Sequence, residues 1–264
     1  MKRSSGARLY AATAVGVLSL ALLTGCSDAS DDTEDSGKDA GGASASAATP
    51  TPAAEALTSA ALEKLLLAQG DVPGYKVDSG DDTLPKSKSA VKTDKAACDP
   101  LAWATAGLAP GDTPANASNS VTEAKTPGTA APSDPAAGLE DAFNVNLTFV
   151  GLSSYEGDGA QKALRAVSDG VSACAGGFGL AADGENTKVT KVTAEKGSGL
   201  GDESVAFAES VDMDGEGTAT FHTEVVRKGS TVASFYTVNF AALASGKETT
   251  IPAAVTRAQV AKLK

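Results

Sequence analysis

The clearest alternation of apolar and polar residues in the chain spans 142–150. Successive side chains of a strand point to opposite sides, so a period of two is typical of a strand with one buried face. The pattern therefore predicts a strand with an apolar and a polar face. The apolar positions are Phe143, Val145, Leu147 and Phe149, and the polar ones are Asn144, Asn146 and Thr148.

Helical spacing replaces this alternation from Asp158 onwards. Apolar residues recur every three or four positions, as on one face of an amphipathic helix, and aspartate is a common N-cap residue. The glycine-rich segment 176–179 predicts the end of this helix. Its apolar face consists of Ala160, Ala163, Leu164, Val167, Val171 and Cys174.

A run of strands without intervening helices follows, at 187–193, 203–211, 218–227 and 231–240. Turn-forming residues at 214–217 and 228–230 favour hairpins between the last three. The chain closes with a helix from Pro252, for which we expect Ala254, Val255, Ala258 and Ala261 to face the core.

Two shorter helices are predicted nearer the N-terminus. The first spans 57–69, capped by Thr58 or Ser59 and closed by Gly70, and a turn at 71–74 leads from it into a short strand. The second begins at Asp99-Pro100 and ends at Gly107. Together these elements predict an α+β fold, a twisted and mainly antiparallel sheet with helices packed on one face.

The stretch 108–138 is rich in Pro, Gly, Ser, Thr and Asn, with a strand only weakly indicated at 118–124. A long irregular stretch in a compact domain is either functional or disordered, and we expect disorder. Because 126–138 is not a clean linker, we expect residues 55–264 to form a single domain.

The N-terminal segment has the three parts of a secretory signal. A basic start precedes 15 apolar or small residues at 9–23, too few for a bilayer-spanning helix of about 20. The run ends in Leu23-Thr24-Gly25-Cys26, which resembles the lipobox of bacterial lipoproteins. The resemblance implies cleavage of a lipoprotein signal peptide, residues 1–25, and attachment of diacylglycerol and palmitate to Cys26. The alternative is an ordinary cleaved signal followed by a coincidental cysteine.

Residues 26–54 comprise the lipidated cysteine and a disordered tether, since 27–54 contain no aromatic or large aliphatic residue. Removing 1–25 takes away three basic residues and no acidic one, which leaves 19 positive and 33 negative side chains and a formal charge of −14. This charge disfavours nucleic-acid binding. We therefore expect an extracellular domain held at the outer face of the cytoplasmic membrane by its lipid anchor.

Two cysteines remain once Cys26 is lipidated. In an exported chain, Cys98 and Cys174 predict a disulfide bond. The alternatives are a redox-active thiol or a metal ligand, but there is no C-x-x-C pair, and the single His222 lacks metal-ligand spacing. We expect neither a metal nor a cofactor.

The candidate ligand site is the polar face of the sheet. His222 shares a strand face with Thr220 and Glu224, and these residues join the polar face of the 142–150 strand if the two strands lie close together. The alternative is that this face is only hydrated surface. The candidate ligand-binding residues are Asn144, Asn146, Thr148, Thr220, His222, Glu224 and Asn239.

Other chemistry is less well supported. A hydrolytic Ser–His–acid site would combine His222 with Ser153, Ser204 or Ser234, but no nucleophile-elbow motif is present. The acidic residues at 212, 214 and 216 lack the EF-hand pattern and favour a hairpin turn over a calcium site. The glycines at 197, 199 and 201 precede no helix, so they favour a turn over a phosphate loop.

Several local patterns together resemble a known family. They are the Leu-rich helix followed by Asp71-Val72-Pro73-Gly74-Tyr75, the strand–helix unit 143–174, the segment Gly201-Asp202-Glu203-Ser204 before a strand, and the closing Ile251-Pro252 helix. They resemble actinobacterial secreted lipoproteins related to the extracellular sensor domain of mycobacterial serine/threonine kinase H. The resemblance implies an α+β domain with a ligand-binding cleft and no known catalysis. The chain differs in having one cysteine pair where that ectodomain has two disulfides.

These observations predict a cell-surface lipoprotein with a non-catalytic ligand-binding or sensor-like domain. Its expected partners are the membrane, through the lipid on Cys26, and an unknown small ligand or envelope component. The alternatives are an envelope hydrolase using His222 and a structural or partner-docking lipoprotein.

Overall fold

The computed structural model describes residues 55–79, 84–124, 144–182, 184–213, 215 and 217–264, within which nine strands and five α-helices form. The strands are β1 Tyr75–Ser79, β2 Val91–Thr93, β3 Asn116–Glu123, β4 Leu147–Ser154, β5 Phe178–Ala182, β6 Glu185–Glu195, β7 Glu203–Asp212, β8 Thr218–Lys228 and β9 Thr231–Val238. The helices are α1 Ser59–Leu65, α2 Asp99–Thr105, α3 Gly159–Ala173, α4 Phe240–Ala244 and α5 Ala253–Lys262.

Several predictions concern other parts of the chain. The signal peptide, Cys26, the tether and the loop at 126–138 all lie outside the described residues, as do Phe143, Asp214 and Glu216. No helix in the described part of the chain is both long and apolar enough to cross a lipid bilayer.

The strands form one antiparallel sheet in the order β1-β3-β4-β9-β8-β7-β6-β5-β2. Strands β7, β8 and β9 are joined by the expected hairpins, and β9 pairs with β4 so that Phe235 lies opposite Val150. The predicted fold class, an α+β domain built on an antiparallel sheet, is confirmed.

Helices cover both faces of this sheet. Val225 of β8 packs in a cluster with residues of α2 and α3, whereas the adjacent Val226 packs in a second cluster with residues of α1 and α5. Because adjacent strand residues point to opposite sides, the two clusters lie on opposite faces. We name them the α3 face, which carries Val225, and the α5 face, which carries Val226.

The prediction that helices pack on only one face of the sheet was therefore wrong, although the fold class is as predicted. That expectation assigned the polar residues of the 142–150 strand to solvent. Instead, Thr148 is fully buried on the α5 face, where its Oγ1 lies 2.9 Å from Oγ1 of Thr237 on β9. A polar residue that finds a hydrogen-bond partner across the sheet can be buried, so alternation alone does not show which face is exposed.

The predicted disulfide joins Cys98 and Cys174, whose Cα atoms lie 5.9 Å apart. Cys98 ends a short 3-10 turn before α2, and Cys174 is the C-cap of α3. Both are fully buried between the two helices and the sheet. The bond ties α2 to α3 and restricts the unfolded chain across 76 positions, which stabilises the fold by roughly 2–4 kcal/mol.

Helix α3 agrees closely with its prediction. Asp158 is the N-cap, although its carboxylate pairs with Lys162 and makes no capping hydrogen bond. The predicted apolar positions, from Ala160 to Cys174, are all buried. Helical periodicity identified this face because α3 packs on the sheet along its whole length.

The other predicted helices differ in their ends or faces. Helix α1 is capped by Thr58 as predicted but ends at Leu65, because Leu66 is extended, and Gly70 adopts its positive φ of 97° in a separate turn. In α5, Val255 is buried as expected, but Ala254 and Ala261 are exposed and Ala258 is half-buried. Its buried face is made of Val255, Thr256, Gln259 and Val260.

The strands also show departures from the predicted pattern. β3, only weakly indicated by the sequence, lies inside the sheet between β1 and β4, so the expected disorder was wrong for 108–124. β4 begins at Leu147 and continues to Ser154, four residues beyond its predicted end, and β5 and α4 were not foreseen. The short, small or polar side chains of β3 are accepted in the sheet because both neighbouring strands pair with them.

A buried carboxyl group on the α3 face affects stability. Glu209 of β7 accepts a hydrogen bond from Thr105 Oγ1 of α2 at 3.0 Å, and Thr105 Oγ1 also lies 3.0 Å from Thr223 Oγ1. Burial raises the pKa of Glu209 to about 7, against an ordinary 4.5, because desolvation outweighs the single hydrogen bond from Thr105. The folded protein therefore keeps this proton where the unfolded chain loses it.

We expect the free energy of unfolding to fall by about 3 kcal/mol as the pH rises from 4.5 to about 7, and to change little through this group outside that window. Glu209→Gln should be as stable as the wild type at the low end and more stable above neutrality. Chemical denaturation across this pH range measures the difference. The exposed Glu185→Gln is the control, and wild-type and Glu209→Gln curves that stay parallel would contradict the prediction.

Candidate functional site

The seven candidate residues lie in two groups and one separate position. The first group comprises Asn144, Asn146 and Asn239, which are joined by hydrogen bonds, and Thr148 of β4, which pairs with Thr237 instead. Asn239 donates through Nδ2 to Oδ1 of Asn144 at 3.2 Å and to Oδ1 of Asn146 at 3.1 Å. Its Oδ1 accepts the amide of Ala242, which caps α4. Asn146 also donates through Nδ2 to Glu123 at 3.0 Å, so each of these four side chains has a hydrogen-bond partner within the protein.

The second group, His222 and Glu224, lines a cavity of about 440 Å³ on the α5 face. Both side chains project from β8, and Thr237 of β9 lies beside His222 in register, which links this group to Thr148. The half-buried Thr220 lies two residues before His222 and is not among the residues that line the cavity. We name this space the His222 cavity.

Small residues of β7 lie on the sheet at the site, where Ala206 lines the cavity and Ala208 lies two residues further along the same face. Ala206 lies between Glu195 of β6 and Glu224 of β8, and Ala208 lies between Thr193 and His222. A methyl group leaves open the space above the sheet that a larger side chain would fill. Polar side chains on the two flanking strands can therefore reach across β7 towards each other.

His222 is oriented by such a contact across β7. Its Nδ1 lies 2.9 Å from Oε2 and 3.1 Å from Oε1 of Glu195. Because an ionised carboxylate only accepts hydrogen bonds, Nδ1 carries the proton, and in the neutral ring Nε2 is then an acceptor. Nε2 is buried and has no hydrogen-bond partner among the residues that the structure describes.

Glu224 is held by the loop between β6 and β7. The backbone N–H of Ser198 donates to its Oε1 at 2.6 Å. Gly197 makes this approach possible, since a Cβ there would lie 2.5 Å from Ser204 Oγ and 3.4 Å from Glu224 Oε1. The glycine-rich segment 197–201 leads into β7, as expected for the predicted turn. It also places the backbone N–H of Ser198 beside the carboxylate of Glu224.

The segment between α4 and α5 closes the other side of the cavity. Glu248, Thr250 and Ile251 line it, and so does Ala253, the first residue of α5. Sequence reasoning found His222 and Glu224 but missed Glu195, Ser198 and this segment. The sequence signal that could have indicated Glu195 was the pair of small residues at 206 and 208, on a strand between two strands with polar side chains.

The serines proposed for hydrolysis lie away from His222. Ser153 and Ser234 are opposite Val232 and Val225 in register, which puts both on the α3 face. Ser204 is on the α5 face, but it is opposite Val226, four residues along β8 from His222, or roughly 13 Å at the usual strand rise. None of these three serines therefore pairs with His222.

No group of three or more His, Cys, Asp or Glu side chains suitable for a metal ion occurs in the described ranges. A second cavity, of about 630 Å³, lies beside Leu57, Pro114 and Tyr155. The hydroxyl group of Tyr155 in this second cavity already has hydrogen-bond partners. It accepts the backbone N–H of Gly111 and lies 3.1 Å from Oγ of Ser153. We therefore take the His222 cavity, which has unsatisfied polar groups, as the candidate site.

Comparison with known proteins gives a distant likeness at the level of the fold. No family model matches the chain, and no curated protein sequence matches it. The fold is similar to that of the extracellular domain of PknH from Mycobacterium tuberculosis, with 11% identity and a TM-score of 0.44 over 79% of this chain and 95% of that one. The resemblance expected from the sequence is thus present at a distant level only, and it does not determine a function.

Proposed function

We propose that this chain is a lipid-anchored cell-surface lipoprotein whose domain, residues 55–264, binds a small ligand or envelope component without catalysis. The Leu23-Thr24-Gly25-Cys26 sequence after a short apolar run supports the signal peptide and the anchor on Cys26. The Cys98–Cys174 disulfide supports an oxidising location outside the cytoplasm. The proposed location is the outer face of the cytoplasmic membrane.

The His222 cavity carries the binding part of this proposal. A volume of about 440 Å³ lies within the range of small-molecule sites. The cavity is lined by polar groups from β6, β8 and the α4–α5 segment, and Nε2 of His222 is buried without a hydrogen-bond partner among the described residues. Such groups are costly to leave unsatisfied, and a bound ligand would pair them. The Asn144, Asn146, Thr148 and Asn239 group then supports the site from beside it.

The two alternatives have less support. A hydrolase using His222 needs a nucleophile beside it, and the three candidate serines lie on the other face or far along the strand. A docking surface needs a contiguous apolar patch of several hundred Å². The large apolar side chains exposed in the described part of the chain are Met213 and Phe240.

The anchor predicts palmitate labelling through one sulfur atom. In bacteria that express the full chain, wild type should incorporate a clickable palmitate analogue, and Cys26→Ala should not, because the acylated thiol is gone. Labelling is measured by in-gel fluorescence, and Ser27→Ala is the control. Equal labelling of wild type and Cys26→Ala would contradict the lipid anchor.

The cavity predicts a ligand that co-purifies with the protein. Ala253→Trp places a large side chain at the cavity wall, at a position that is exposed, so we expect it to exclude the ligand while the fold is kept. The control is Ala254→Trp, an exposed neighbour on α5 that does not line the cavity.

Mass spectrometry of small molecules released from the full chain measures the outcome. A compound present in wild type and Ala254→Trp but depleted at least about tenfold in Ala253→Trp supports the proposal. Identical small-molecule profiles in all three proteins would contradict it.

A further inference from the structure

The His222 cavity contains a buried carboxylate that lacks a counter-ion. Glu224 is only 5% exposed, and the hydrogen bond from Ser198 N reaches one of its two oxygens. None of the ion pairs among the described residues includes Glu224, although Lys196 also lines the cavity. Buried charges in proteins are normally paired, so Glu224 lacks the partner of opposite charge that its burial calls for among these residues.

The surroundings of Glu224 favour a cation. Glu195 and Glu248 line the same cavity, against Lys196 as the basic side chain in its wall. His222 is paired with Glu195, and none of the ion pairs among the described residues joins His222 to Glu224. The chain as a whole carries a formal charge of −11, which adds a field of the same sign.

The missing cation fits an organic ammonium group better than a metal ion. A metal would need several ligating side chains converging on one point, and the described residues provide no such group. An ammonium group needs fewer partners, since it brings three hydrogen-bond donors of its own. The second Glu224 oxygen is an acceptor without a partner among the described residues, which suits a ligand that brings hydrogen-bond donors.

We propose that the His222 cavity binds a small hydroxylated primary ammonium compound of the size of an amino sugar, with the ammonium group paired to Glu224. This deepens the proposed function and rests on it. The volume of about 440 Å³ accommodates such a compound, and the hydroxyl groups of Ser198 and Thr250 at the wall suit ligand hydroxyls.

Matched probes test the charge requirement. Isothermal titration calorimetry of the full chain in detergent uses glucosamine, N-acetylglucosamine and glucuronate, which share a sugar ring but carry a positive, no or a negative charge. Putrescine adds an ammonium compound without a ring, and calcium chloride tests a metal ion. We expect glucosamine to bind at least about tenfold more tightly than N-acetylglucosamine or glucuronate.

Two variants test the assignment to Glu224. Glu224→Gln should remove the preference for glucosamine, because it removes the charge and keeps the shape. Glu209→Gln changes an equally buried glutamate on the opposite face and should leave binding unchanged. Thermal unfolding verifies that each variant is folded. The ranking of probe affinities on the wild-type protein tests the inference without relying on either variant.

Equal or tighter binding of N-acetylglucosamine, glucuronate or calcium would overturn the ammonium assignment while leaving a binding cavity in place. Failure of both glucosamine and putrescine to bind would also overturn it. Loss of binding in Glu209→Gln as well as in Glu224→Gln would contradict the role of Glu224. A different result would contradict the proposed function itself. In that case no co-purifying compound would be depleted in Ala253→Trp.

Discussion

The arrangement of the α5 face depends on one buried amide. Gln259 of α5 is fully buried, and its Oε1 accepts the backbone N–H of Leu67 at 3.0 Å while its Nε2 donates to the carbonyl of Leu65 at 2.9 Å. These two bonds satisfy backbone groups at the C-terminal end of α1, where the helix stops and leaves them without helical partners. One side chain thus joins the two helices of this face across 192 positions of sequence.

This connection determines where the sheet is covered and where it is open. The C-terminal half of α5 is fixed to α1 by Gln259, and Lys262 adds an ion pair with Asp71. The N-terminal end of the helix, at Ala253, reaches the part of the face where β7 carries Ala206 and Ala208. The His222 cavity is the space left between that helix end and the small residues of the strand. Its polar groups are enclosed because α5 is held in this position.

Local patterns predicted the elements that pack along their whole length. The helical face of α3, the position of Cys174 on it and the hairpins from β7 to β9 follow from periodicity and turn residues, which act over a few positions. The covered second face could not be predicted in this way. It depends on Gln259 and on the cross-strand pair of Thr148 and Thr237, contacts between residues far apart in the chain.

The candidate site was predicted in part for the same reason. His222 and Glu224 share a strand face, and a period of two is enough to group them. Glu195 reaches His222 only because β7 lies between them with alanines at the facing positions, so strand order has to be known first. The burial of Glu224 follows from the α4–α5 segment and the Ser198 amide, which no local pattern connects with β8.

The most direct test of this account is hydrogen–deuterium exchange of the full chain carrying Gln259→Ala. The account predicts that loss of the amide leaves the groups of Leu65 and Leu67 unpaired, at a cost of about 1–3 kcal/mol, and that exchange accelerates by about tenfold or more at the end of α1, throughout α5 and at the Ser198 amide in the cavity. Gln161→Ala, at an exposed position of α3, should leave exchange unchanged. Unchanged protection of α1, α5 and Ser198 in Gln259→Ala would contradict the claim that this residue holds the cavity in place.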